Sequence, residues 1–236
     1  MQKSSATILG IMLVISFTVF GMLVKQALIE VKTYDRSVTV KGLAEAEYPA
    51  DIVIWPIQFT AASNDIEGLY NQVDTQAQQV ISFLTSQNIA ADEVSFSAPT
   101  INDKLAQQYG GQQDFEFRYT ALQTITVYSK SIQLVRDAMP KLTELGKRGI
   151  VFSQNDYNAQ VEYIFTRLNE IKPQMIEQST TNARMVAEKF ATDSNSQLGK
   201  IKQASQGQFS INDRDKNNPH IKQVRVVSTI AYYLAD

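Results

Sequence analysis

Hydrophobic and polar positions along the chain fall into three regimes. From Ala6 to Val24 every residue is uncharged and most are apolar, between Lys3 and Lys25. A helix rises about 1.5 Å per residue and roughly 20 apolar residues cross a bilayer core, so this run predicts a transmembrane helix. Beyond it the pattern alternates in twos. Val38 to Gly42, Ile52 to Ala62, Val94 to Ile101, Phe115 to Tyr128, Ile150 to Ser153, Ala159 to Thr166, Leu198 to Ile211 and Val224 to Leu234 read as strands. Between them lie stretches with helical spacing. Ile66, Leu69, Tyr70, Val73, Ala77, Val80, Ile81 and Leu84 mark the first. Ile132, Val135, Met139, Leu142 and Leu145 mark the second. Ile176, Ala183, Val186, Ala187 and Phe190 form the stripe of a third, from Asn169 to about Asp193.

Punctuating residues refine these elements. Asn64-Asp65-Ile66-Glu67 has the form of a capping box with Asn64 as N-cap and Glu67 reaching back. Asn88 predicts a left-handed stop, with Ile89 as the hydrophobic residue after it. Pro56 cannot donate to a ladder, which predicts an edge or a bulge in the second strand. Pro140 predicts a kink in the second helix, which Gly146 ends. Pro173 falls in the first turns of the third. Asn102 to Asp114, around Gly110-Gly111, predicts a polar, mobile loop joining two strands. The order ββαββαββαββ implies an α+β domain with helices packed on one side of mainly antiparallel sheet.

The chain then divides into an anchor over 1–25, a stalk over 26–36 and a domain over 37–236, either one large domain or two small ones. A cleaved secretory signal is the alternative to an anchor. Signal cores run about 7–15 residues and end at a small-x-small site; here the run is longer, and Lys25 stands three before a cut after Ala27. Ala6 and Gly10 make a small-xxx-small pair, a candidate helix–helix contact in the membrane. Lys25, Lys32, Arg36 and Lys41 outnumber Lys3, which leans toward a cytoplasmic domain, but so short a leading tail passes to either side and charge does not decide orientation.

Composition removes several functions. With 44% hydrophobic residues the chain can build a core. Net charge is −2 with no basic run, so nucleic acid is not an expected partner. The absence of cysteine excludes disulfides, thiol catalysis and cysteine-based zinc sites. The single histidine, His220, reads as a solvated loop residue with no second histidine to share a metal, and no Gly-x-Ser-x-Gly elbow supports a triad. Leu145-Gly146-Lys147-Arg148 lacks the remaining parts of a phosphate loop. Asp213, Asp215 and Asn217 have calcium-loop spacing, but Asn218 replaces the required glycine and Val224 the closing glutamate, so the segment reads as a hairpin tip. Glu170 and Glu177 read as a solvated helix face. Tyr232 and Tyr233 read as one core ring and one surface ring or as interface residues, and Trp55 as a core ring or an oligomer contact. No catalytic, cofactor-binding or metal residue is assigned, and none of these patterns predicts an enzyme.

Two segments carry a resemblance. Val38 to Phe59, VTVKGLAEAEYPADIVIWPIQF, has a strand ending in Gly42, an acidic stretch with Glu45, then Pro49 and Asp51 before an alternating strand. Asn182 to Ile201, NARMVAEKFATDSNSQLGKI, places Ala183, Arg184, Ala187, Glu188 and Ala191 on a helix and Leu198-Gly199 at a strand start. Together with Gly149-Ile150-Val151-Phe152, their order resembles the SIMPL-domain family from about Arg36 onward. The resemblance implies an α+β fold outside the cytoplasm, either anchored by a single pass in the inner membrane with the domain in the periplasm, or secreted to the periplasm after signal cleavage. Some members form large ring- or channel-like homo-oligomers and some are associated with oxidative-stress defence; none has established catalytic residues. The expectation is therefore a non-enzymatic, membrane-anchored protein that assembles into a ring- or cage-like homo-oligomer, without cofactor. The alternative is a binding module that captures an envelope peptide, lipid or partner protein, through an apolar groove near Trp55 or the Gly110 loop. The methionines Met12, Met22, Met139, Met175 and Met185 offer only passive oxidation.

Overall fold

The computed structural model describes residues 2–34, 36–106, 116–153 and 159–235, and in the first helix the side chains of residues 10–27. Helix α1, Gln2–Tyr34, contains the apolar run and continues through the stretch foreseen as a stalk. Gly10–Ala27 is long and apolar enough to cross a bilayer, and its side chains are exposed. The rest is α+β, and every strand pairing whose register is described is antiparallel. The chain forms two compact units. The first holds Met1–Ala46, Ile171–Ser210 and Arg225–Asp236; the second holds Glu47–Glu170 and Ile211–Val224.

The second unit is built on β2 (Ile52–Ser63) and β5 (Tyr119–Ser129), paired without a break from Val53↔Ser129 to Ser63↔Tyr119. Alternate residues Val53, Trp55, Ile57, Phe59 and Ala61 turn to one face, with Ala121, Ile125 and Val127 from β5. Helix α2 (Ile66–Ser86) covers that face with Leu69, Val73, Val80, Phe83 and Leu84. Asp65, rather than Asn64, is the N-cap: its carboxylate accepts the Gly68 N–H at 2.7 Å. Asn64 is drawn away because its amide bridges to Glu116 O and the Arg118 N–H at 3.0 and 2.8 Å. At the other end Asn88 adopts φ 62°, the Ile89 N–H reaches Leu84 O, and Ile89 is buried, a Schellman-type stop.

Pro56 lies at a local edge of β2, without a bulge. It pairs with Thr126 on the β5 side, while on the other side β7 (Glu162–Ile164) pairs with residues 52–54 and β6 (Val151–Phe152) with 59–60. Proline therefore falls in the gap between two short partners, where no ladder donor is called for. The strand expected over Val94 to Ile101 is two, β3 (Val94–Phe96) and β4 (Thr100–Asp103), parted by Ser97-Ala98-Pro99 but both on β5. Pro140 divides the second helix into α3 (Ile132–Ala138), a tight turn over Met139–Leu142 and α4 (Thr143–Gly146). The Gly110-Gly111 loop and Phe115 lie outside the described residues.

The first unit has a sheet in the order β1-β10-β8, from β1 (Ser37–Pro49), β10 (Ile221–Ala235) and β8 (Gln197–Gln206). The expected strand from Leu198 to Ile211 breaks at Gly207, and β9 (Ser210–Asp213) pairs separately with β10. Helix α5 (Leu168–Asp193) buries Met175, Ser179, Ala183, Ala187 and Ala191, a strict four-residue step. The stripe expected through Val186 and Phe190 is therefore misphased. Both are exposed, because small side chains, rather than large ones, face the sheet. The core of this unit joins Val40, Ala183, Ala187, Ile230 and Tyr232.

Candidate functional site

Within the first unit, the two motifs read from the sequence meet. Gly42 of β1 lies against α5 so closely that a Cβ on it would stand 1.9 Å from Ser179 O and 2.8 Å from Ala183 Cβ. Asn182 donates to Leu43 O at 2.8 Å, and the Ser179 and Ser228 hydroxyls share a buried hydrogen bond of 2.6 Å. Gly199 is likewise near β10: a Cβ there would lie 3.0 Å from Tyr233 O. The motif glycines and alanines are spacers that let a helix and two strands approach.

In the second unit the motif residue Asp51 is a latch. Its carboxylate accepts the Thr166 N–H at 2.9 and 3.0 Å and the Thr166 hydroxyl at 2.5 Å, with Arg167 Nε at 3.6 Å. His220, expected to be solvated, is half-buried. Its carbonyl accepts the Ala50 N–H at 2.8 Å and its ring meets Tyr163 edge-on at 6.0 Å. Burial, reinforced by Arg136 and Arg214, lowers its pKa, so the ring is neutral at pH 7. Burial also raises that of Tyr163. The Asp215 carboxylate is held down to about 2 by Arg214 and then Asn218, and its oxygens accept the N–H groups of Asn217 and Asn218. It is thus spent on closing its own hairpin tip.

The residues singled out as possible contacts separate. Trp55 and Tyr232 are core rings, 5% and 4% exposed, and leave little surface for a partner. Tyr233 stays exposed, with Lys202 Nζ 5.5 Å from its ring centroid. Gly10 faces open space on α1; the Ala6 side chain lies outside the described residues. The exposed apolar residues Met185, Val186 and Phe190 on α5 and Ile201 on β8 were not singled out. Their signal was hidden by the misphased stripe: once Ala183, Ala187 and Ala191 take the inner face, Val186 and Phe190 must point out.

β8 is the most open strand of the path β1-β10-β8. Among the described strands it pairs only with β10, and residues 199–206 are exposed on both faces. Two register shifts, after Ala231 and after Tyr232, bulge it against β10.

The profile of one known family spans residues 38–228 of this chain. The chain belongs to the SIMPL family. That family (DUF541) is described as proteins of unknown function, so membership supplies no activity. No curated protein matches the chain. The SIMPL span opens at β1 and closes inside β10, and so includes both spacer glycines and the Asp51 latch.

Oxidative chemistry has an uneven set of targets here. Met175 is buried while Met185 is 55% exposed. Dilute peroxide is expected to convert Met185 to its sulfoxide well before Met175, as read by peptide mass spectrometry; equal rates would mean that α5 is open in solution.

Proposed function

We propose that this SIMPL protein is held at a membrane by α1 and carries its domain on the extracytoplasmic side. There, copies join edge to edge into a ring- or cage-like homo-oligomer that serves envelope or oxidative-stress defence without enzymatic chemistry of its own. The observation that carries the reading is β8, an edge strand exposed on both faces. Such an edge presents a row of backbone donors and acceptors, which soluble proteins usually cover. β1, at the other end of the same sheet path, carries exposed Leu43, and β8 carries exposed Ile201. Pairing β1 of one copy with β8 of the next is head to tail, the arrangement that closes into rings. Anchoring in two dimensions raises the local concentration and makes weak lateral contacts effective. The extracytoplasmic side is supported by the family resemblance rather than by charge.

The test is the mass of the full chain in mild detergent beside a chain beginning at Lys32. A large discrete assembly for both is expected, and Ile201→Lys should reduce it to smaller species. An assembly seen only with the helix would move the contacts into α1. Monomers for both would overturn the reading.

A second reading, a module that binds an apolar envelope component, is favoured by one observation. A cleft of about 340 Å³ opens beside Pro56 in the gap between β6 and β7, lined by Trp55, Met139, Leu142 and Phe152. Trp55 is the only tryptophan, so its fluorescence should be quenched by a brominated lipid if this cleft is the site.

A further inference from the structure

Helix α1 leaves little chain between the apolar span and the fold. The span ends at Ala27, and the helix continues seven residues to Tyr34, about 10 Å at 1.5 Å per residue. β1 starts three residues later, at most about 11 Å further along the chain. Ser37 is thus tethered within roughly 20 Å of the end of the span, and the headgroup layer fills about 5–7 Å of that distance.

The start of β1 marks one end of the sheet of the first unit. The Leu234 N–H donates to Arg36 O at 2.9 Å, and Leu234 pairs with Leu198 near the start of β8. Arg36 Nη2 donates to Ser196 Oγ at 3.5 Å, in the turn that leaves α5. Phe190 is at the same end, because its carbonyl accepts the Ser194 N–H in that turn. Tyr233 lies against Gly199, with Lys202 over its ring. This end exposes the rings of Phe190 and Tyr233 beside Lys200 and Lys202. Aromatic rings flanked by long cationic side chains are the residues that settle at a membrane–water interface. The nearest carboxylates of α5, Glu188 and Asp193, are matched by Arg184 and Lys189. Asp35 and Asp236 stand beside Arg36 and Ala235 in the sequence, so this end carries little net charge and the rings, rather than an anionic lipid, hold it.

We infer that this end of the first unit sits in the headgroup layer of the bilayer, with Phe190 and Tyr233 dipping between headgroups and Lys200 and Lys202 reaching lipid phosphates. The inference rests on the reading that α1 anchors the chain. So small a seat is too weak to hold a free protein, but the short tether supplies a high effective concentration. With the strand ends on the bilayer, the β1 and β8 edges stand upright and face sideways, toward neighbours in the same membrane.

The chain has no cysteine, so one introduced cysteine carries a dye uniquely. The full chain is labelled at Gln197→Cys, at the seated end, or at Gln206→Cys, nine residues along β8 and about 30 Å away. Each is placed in phosphatidylcholine vesicles containing a lipid with a nitroxide on its headgroup. Flotation with the vesicles after a carbonate wash tests the anchor separately. In floated chains the dye at 197 is expected to lose about half or more of its emission and the dye at 206 little. Phe190→Glu with Tyr233→Ser, both at exposed positions, should abolish most of that difference while the thermal midpoint holds. Floated chains quenched equally at 197 and 206, or not at 197, overturn the inference and leave the anchor standing. Quenching that the double substitution does not reduce overturns it too. Chains that do not float overturn the anchor, and this seat with it.

Discussion

Gly42→Ala is expected to destabilise the folded domain by about 3–5 kcal/mol, at the top of the range for one methyl group. The new Cβ would meet Ser179 O at 1.9 Å and Ala183 N at 2.4 Å, both backbone atoms of a helix. A side chain in the way can rotate aside; a helix backbone has to move as a body. Lifting α5 would stretch the buried Ser179–Ser228 hydrogen bond and open the core of Val40, Ala183, Ala187, Ile230 and Tyr232. Urea unfolding is the measurement, with Gly146→Ala as control, because a Cβ at Gly146 meets nothing within 4 Å. A Gly42→Ala change no larger than that of the control would mean that strand and helix are not in such close contact.

Asp51→Ala should cost about 2–3 kcal/mol, the worth of hydrogen bonds to a charged acceptor together with the donors left behind. The loss would fall on the Thr166 N–H and hydroxyl and on Arg167, which all converge on this one carboxylate. Asp51→Asn keeps one oxygen and should recover part of the loss. If the alanine and asparagine variants unfold at the same denaturant concentration as the parent, the latch is ornamental. A fall confined to alanine would assign the effect to hydrogen bonding, and an equal fall for both would assign it to charge.

These two positions also show how far the sequence was readable. Gly42 and Asp51 stood out as motif residues, yet their roles needed the partners Ser179, Ala183 and Thr166, which lie more than 100 residues away in the chain. Local signals were dependable: Asn88 ends α2 at φ 62°, and Pro140 breaks its helix. Where a local signal misled, tertiary need decided. Asn64 was the expected cap, but its amide bonds to Glu116 O and the Arg118 N–H, and Asp65 caps the helix instead. On α5 the large residues drew the predicted stripe toward Val186 and Phe190, whereas the close approach of β1 demanded alanine on the inner face. Gln76, the polar member of the buried face of α2, went unread, because hydrophobic periodicity alone passes over such an exception. The open edge of β8 depends on strand order, which pattern reading does not supply.

The pairing of β1 with β10 has a bearing on how this chain is born. Of the described strands β1 leaves the ribosome first and β10 last, so the sheet of the first unit stays unfinished until Ile221 to Ala235 is made. Contacts of such long sequence separation form slowly. An N-terminal helix inserted early would meanwhile tether an incomplete sheet, with β1 unpaired, beside the bilayer. Truncation from the C-terminus should thus leave a sticky nascent chain rather than a smaller working domain, and chaperone demand should peak just before Ile221 to Ala235 emerges.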